Sequence, residues 1–284
     1  MVGKRGLKTV RSVIQILFFV LVLLISLGHL LEEYDITIPL LGGVSLHAVC
    51  PFGGVVTIYQ YIVSGTFVQK IHESAFILML LVLATAVLFG PVFCGWVCPF
   101  GTVQEWIGKL GRKLFRKRFN RLIPHNIDSV LRYLRYAVLI WVVVVTAYSA
   151  KLFFSDYDPY FTLFNLWSDE LALSGVIILA VVLLLSLVVE RPFCKYACPY
   201  GAVLGITNTF RIFQIRRNDK TCISCNICSK ECPMNIDVAS KGAVRDHQCI
   251  SCYACTSDAA CPVEDTVIIS TPYIAPSKEA ARED

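Results

Sequence analysis

The chain of 284 residues is 56% apolar and only 17% charged, with a formal net charge of +5 and 13 cysteines. Soluble globular chains carry about a quarter charged residues, so this composition excludes an ordinary water-soluble globule. It points to a membrane protein, and the cysteines point to thiol or metal chemistry.

Four apolar runs stand out, at residues 13–31, 75–92, 136–152 and 171–189. Each is close to the roughly 20 residues a helix needs to cross the hydrocarbon core. The first exceeds the apolar core of a signal peptide, about 7–15 residues, and no small-residue cleavage site follows it; it reads as a retained span. Lys4, Arg5, Lys8 and Arg11 precede it, and Lys109, Arg112, Lys113, Arg116, Lys117, Arg118 and Arg121, then Arg132 and Arg135, follow the second run. The other two connections are acidic, with Glu32, Glu33 and Asp35 in one and Asp156, Asp158, Asp169 and Glu170 in the other. Excess Lys and Arg marks the cytoplasmic side. This predicts a multi-pass protein of the inner, cytoplasmic membrane with both termini inside. The basic run 112–121 is then an anchor touching anionic membrane lipid, and nucleic acid is not an expected partner.

Between the first two runs stands His47-Ala-Val-Cys50-Pro51-Phe52-Gly53-Gly54. Residues 55–63 are apolar but too short to span, and read as a re-entrant or interfacial piece. Tyr59, Tyr61, His47 and His72 around it read as an interfacial belt.

The second run ends in Phe93-Cys94-Gly95-Trp96-Val97-Cys98-Pro99-Phe100-Gly101, and the fourth in Phe193-Cys194-Lys195-Tyr196-Ala197-Cys198-Pro199-Tyr200-Gly201. The repeat predicts two copies of a helical hairpin around a pseudo-twofold axis, with all four cysteines meeting at the cytoplasmic edge. Cys-x3-Cys on a helix aims both sulfurs to nearly one side, and the proline ends that helix. Cys94, Cys98, Cys194 and Cys198 thus offer four soft ligands for a third iron–sulfur centre or another thiophilic metal. A dithiol/disulfide pair and plain buried cysteines are the alternatives.

Residues 210–218 alternate as a short strand. Then come Cys222, Cys225, Cys228 and Cys232-Pro233, and again Cys249, Cys252, Cys255 and Cys261-Pro262. Three thiolates two residues apart wrap one loop around a cubane, and a distant fourth closes the cage. This is the spacing of bacterial two-cluster ferredoxins, in which each fourth cysteine ligates the other [4Fe–4S] cluster. It predicts Cys222, Cys225, Cys228 and Cys261 on one cluster, and Cys249, Cys252, Cys255 and Cys232 on the other. The second half has five residues rather than three before its last cysteine, which predicts a bulge within 256–260. Structural zinc and a disulfide framework fit two phased triplets less well. Residues 266–269 are expected to pair with the first strand, by analogy with ferredoxins.

Together these features predict an α-helical membrane domain at 1–210, four helices as two repeated hairpins. A small cytoplasmic α+β ferredoxin-like domain follows at 211–275, then a disordered tail at 276–284. The whole resembles the membrane iron–sulfur family of the NapH, NosR and MauN proteins. The resemblance implies electron transfer between a quinone or quinol, or a flavoprotein, and cytoplasmic [4Fe–4S] clusters, as in a quinol dehydrogenase component. It implies a redox partner protein (a reductase, flavoprotein or cytochrome) and contact with soluble ferredoxin. The alternatives are a CcoG-type metal reductase or assembly factor, similar in motif order, and a redox-sensing regulatory protein; no output domain is seen for a sensor.

Overall fold

A computed structural model describes residues 4–33, 73–149, 157–166 and 172–271. Cys50, the apolar piece 55–63 and the tail 276–284 lie outside the described residues.

Helix α1 spans Lys4–Glu33. One stripe of it is buried, with Gln15, Val22, Ile25 and Ser26, while Val13, Ile16, Leu17, Val20 and Leu24 are exposed. That is the pattern of a helix packed along one side and lipid-facing along the other. Helix α2, Glu73–Phe89, stops at Gly90, whose φ of +83° a side chain would resist. The Gly90 amide closes the helix on the Ala86 carbonyl at 2.8 Å, a left-handed cap.

A single π-helical turn, Phe93–Val97, leads into α3, Pro99–Phe115. Helices α4, His125–Leu131, and α5, Leu134–Ser149, follow as a broken pair. The short α6, Pro159–Phe164, is capped by the Asp158 carboxylate, which accepts from the Tyr160 amide at 3.0 Å. It packs against α1 and α7. Helix α7, Leu173–Ser186, precedes the second motif, built as α8, Pro192–Tyr196, and α9, Pro199–Ile206.

Two stretches are long and apolar enough to cross a membrane, Gly6–Gly28 and Asn126–Thr146. The apolar helices Ile77–Phe89 and Leu173–Ser186 are shorter; at 1.5 Å per residue the latter is about 21 Å long, against a hydrocarbon core of about 30 Å.

The C-terminal part carries a three-stranded antiparallel sheet in the order β2–β1–β3. The strands are β1, Gln214–Arg217, β2, Ala243–Val244, and β3, Val267–Ser270. Ile215 pairs with Val244 on one side and Ile269 on the other. The expected pairing of the first and last strands is therefore present, and β2 adds a partner the sequence reading lacked. Helix α10, Ile227–Lys230, carries Cys228. Ile215, Met234, Ile236, Val238, Val244 and Val267 form the core beneath the cysteine loops. This part is fastened to the end of α2: the Ile212 and Phe213 amides donate to the Val87 and Leu88 carbonyls, and Phe89 stacks on Phe213 with centroids 4.8 Å apart.

Candidate metal centres

The two C-x3-C-P motifs adopt one local design. In each, the second cysteine's amide donates to the preceding phenylalanine's carbonyl, Cys98 to Phe93 and Cys198 to Phe193, both at 2.9 Å. Both second cysteines are extended N-caps of the next helix, with a proline at its first turn. Proline suits that position because its missing N–H would be unpaired there anyway. This corrects the expectation that each cysteine pair shares one helix face. Cys94 lies on the π turn and Cys194 on α8, whereas Cys98 and Cys198 stand at the break.

The motifs also pack reciprocally. Phe93 meets Tyr200 edge-on at 5.7 Å, and Phe100 meets Phe193 edge-on at 5.5 Å. Each contact joins the first aromatic of one copy to the last aromatic of the other, as a twofold relation requires. Cys94, Cys98 and Cys198 border the same apolar core as these rings, and the Gln104 amide lies 3.6 Å from the Cys194 sulfur. The four thiols are close enough to oppose one another's ionisation. Burial first, and then the neighbouring Cys194, pushes the Cys98 thiol up to about 12. Burial followed by Cys194 and Cys94 raises Cys198 well above the ordinary thiol value.

In the ferredoxin-like part, both cysteine loops turn through the same two left-handed residues. Ser224 and Asn226 flank Cys225, and Ser251 and Tyr253 flank Cys252, all with φ between 48° and 57°. Cys232 lines one small cavity with Cys249, Cys252 and Cys255. Burial, then Cys252, pushes the Cys232 thiol up to about 12. On the other side, burial first, with Cys261 and Cys225 adding to it, raises the Cys228 thiol above its ordinary value. Cys222 differs, held below the ordinary thiol value by the Ser224 amide and the Arg217 side chain.

The two cysteine regions touch. A Cβ on Gly95 would stand 2.4 Å from the Ile250 carbonyl oxygen and 3.3 Å from the Cys252 backbone, so only glycine lets the first motif lie against the second loop. Trp96 Nε1 donates to the Ser251 carbonyl at 3.0 Å. The second motif reaches the same loop from the other side, where Gln248 Nε2 donates to the Lys195 carbonyl at 3.2 Å.

Buried cations surround these thiols. Arg191, 0% exposed, donates to the Cys94 carbonyl at 2.6 Å and to Glu105 at 2.6 Å. Burial alone would raise the Glu105 carboxyl, but Arg191 and Arg11 outweigh it and hold it at about 2. Lys195 lies 3.5 Å from Asp128, and Asp128 also takes Arg132 and the Tyr196 hydroxyl. Arg135 and Arg211 have no carboxylate partner among the described residues. Arg135 donates to the His247 carbonyl, while Arg211 donates to Ser251 Oγ and lies 3.7 Å from the Cys249 sulfur. The Nε atoms of Arg135, Arg191 and Arg211 are buried without a hydrogen-bond partner. Isolated buried charge is costly, so Arg135 and Arg211, which lack a carboxylate, fit an anionic group among the thiols, such as a thiolate-held cluster.

Sequence reading placed Arg132 and Arg135 among the loop charges facing the cytoplasm. At 8% and 2% exposed they are enclosed in this internal network. Arg191, Glu105 and Arg211 were missed altogether. The available signal was charge set directly beside an apolar run or a cysteine motif, as in Glu190-Arg191-Pro192-Phe193-Cys194.

All twelve described cysteines are free thiols. Among the described residues no three Cys, His, Asp or Glu side chains converge as a single metal ion requires.

A family model described as a 4Fe-4S binding domain matches the chain twice, over residues 71–118 and 171–217. These are the two stretches that carry the C-x3-C-P motifs. The chain is 37% identical over 208 residues to the uncharacterised protein MJ0750 of Methanocaldococcus jannaschii, covering 73% of this chain and 82% of that protein. It is 30% identical to the regulatory protein NosR of Stutzerimonas stutzeri, over 73% of this chain, and proteins named NapH and NirI also match. The chain belongs to the NapH/NosR-type family of membrane iron–sulfur proteins. Another relative of this NapH/NosR-type chain is the putative electron transport protein YccM of Escherichia coli, 31% identical over 237 residues and 81% of this chain. The chain spans 65% of YccM and 28% of NosR. No solved structure matches it.

Proposed function

We propose that this protein carries electrons between a membrane-side partner and the cytoplasm through three centres. Cys94, Cys98, Cys194 and Cys198 hold one iron–sulfur centre. Cys249, Cys252, Cys255 and Cys232 hold a second, and Cys222, Cys225, Cys228 and Cys261 a third. When bound, [4Fe–4S] clusters supply one-electron transfer without bond making at the protein. The single observation that carries the order is the Gly95 contact, which sets the first motif against Ile250 and Cys252. The second cysteine loop is thereby the middle station. The first cysteine loop, with Ile223 63% exposed, is the end that faces a soluble partner.

The protein's own groups hold the charge. Arg191, Arg135 and Arg211 offset the negative charge of ligating thiolates, and buried thiols that resist ionisation alone become ligands because a coordinating metal deprotonates them outright. We place the membrane-side partner, a quinone or quinol, at the apolar cavity of ≈ 340 Å³ between α5 and α7. Trp141, Tyr157 and Ile178 line it, and it ends on Phe193, Tyr196 and Ala197 beside the second motif. The Tyr196 hydroxyl on its wall donates to Asp128 at 2.5 Å, which gives a proton a hydrogen-bonded route off the membrane side. In this reading the chain spans the membrane four times as two hairpins, with the ferredoxin-like part in the cytoplasm.

Iron and acid-labile sulfide analysis of the purified full chain, with EPR of the reduced protein, tests the assignment. Interacting [4Fe–4S] signals that a reduced quinol analogue can generate are expected. Stoichiometric zinc with no cluster signal would end the proposal.

A further inference from the structure

A cleft of ≈ 550 Å³ opens between the first turns of α1 and one side of α3, walled by Cys252, Tyr253 and Ala254 of the second cysteine loop. Its size suits a small ligand. Its charge is unbalanced: Lys8, Arg11, Lys109, Arg112 and Lys113 line it against Glu105, Glu190 and Glu231. The carboxylates are already engaged. Arg11 and Arg191 hold Glu105, and Arg112 holds Glu190 at 2.6 Å and Glu231 at 3.6 Å. Lys8 and Lys113 are exposed and have no carboxylate partner among the described residues.

The helices that frame the cleft are apolar on their open sides. Val13 of α1 is 58% exposed, and Leu110 and Leu114 of α3 are 60% and 68% exposed. A phosphate held by Lys8 and Lys113 would therefore have apolar surface beside it for acyl chains. Basic pockets between helices on the cytoplasmic side bind acidic lipid headgroups in this way.

We propose that this cleft is a binding site for the phosphate headgroup of an anionic phospholipid, and that the bound lipid lowers the reduction potential of the centre at Cys249, Cys252, Cys255 and Cys232. Added negative charge beside a cluster favours its oxidised form, since net charge and exposure set cluster potentials. The second half rests on the function proposed above; the first rests only on the cleft.

The test uses the full chain in nanodiscs of phosphatidylcholine, with and without phosphatidylglycerol. Phosphatidylglycerol is expected to be retained in preference to phosphatidylcholine through delipidation, read by mass spectrometry. The double variant Lys8→Gln/Lys113→Gln should weaken that retention about 25-fold, from about fivefold per lysine. Lys220→Gln, an exposed lysine outside the cleft, should not change it. Equal retention of the two lipids, an unaffected double variant, or displacement of the lipid by inorganic phosphate would overturn the site. Redox titration followed by EPR reads the second half: the potential should be lower with phosphatidylglycerol, and the double variant should lose that shift. An identical potential in both lipids would overturn the regulatory role. Preferential retention in a protein that lacks iron would leave the lipid site standing and remove the proposed function instead.

Discussion

The C-x3-C-P pair and the ferredoxin-like pair are both internal duplications, yet they hold their thiols by different means. In the first, helix ends and reciprocal ring contacts set four thiols within one helical core. In the second, short loops with paired left-handed residues place the cysteines over a small sheet. The two copies of the helical motif face each other and share one environment. The two loops do not: the second is clamped by both helical motifs, and the first lies outside. Ile223 and Ile250 occupy the same place in the repeated Cys-Ile-Ser-Cys, but one is 63% exposed and the other 6%. A sequence repeat therefore fixes local conformation, while docking decides which copy becomes structural.

The largest effect should come from the charge network of the helical region. Glu105→Ala leaves Arg191 buried without its carboxylate and should cost about 3–5 kcal/mol, read by chemical unfolding in detergent. If the loop clusters survive at denaturant levels that release iron from the helical motif, the two regions are separable; simultaneous loss would make them one cooperative unit. The same carboxylate gives a pH signature. Its folded value of about 2 lies below the ordinary 4.5, so its stabilisation is complete above 4.5 and fades as pH falls toward 2. Acid unfolding should therefore begin in that window, and Glu105→Gln should remove this part of the pH dependence.

The loops are compared directly by paired substitutions. Ile250→Ala should cost about 2–5 kcal/mol, as for a buried aliphatic side chain. Ile223→Ala should stay within about 0.5 kcal/mol. Equal costs would mean that the second loop is not clamped as described. Between these effects lies Gly95→Ala, which forces a methyl against the Ile250 carbonyl and should cost about 1–3 kcal/mol. It should also slow reduction of the loop clusters from the membrane side in stopped-flow spectroscopy while leaving iron content unchanged.

Much of this arrangement was legible in sequence because cysteine spacing and proline position are local. The duplicated motifs, the pairing of the strands at 214–217 and 267–270 and the place of Cys232 beside Cys249, Cys252 and Cys255 all follow from short-range pattern. The contact at Gly95 was not legible, since a glycine between two cysteines reads as spacing until the partner backbone is known. Nor were Arg135, Arg191 and Arg211. Positive charge near an apolar run reads first as a cytoplasmic anchor, and only three-dimensional placement shows it enclosed beside thiols. The π turn at Phe93–Val97 escaped for a related reason: proline at position 99 announces a helix start as readily as a helix end.

The proposed centre at the C-x3-C-P cysteines is distinct from the ferredoxin-type pair. Replacing Cys94 and Cys194 together by Ser, and measuring iron content with EPR of the reduced full chain, tests it most directly. Less bound iron with both ferredoxin-type signals retained is the expected result. Unchanged iron, with the four thiols instead cycling between disulfide and reduced forms on labelling, would contradict it.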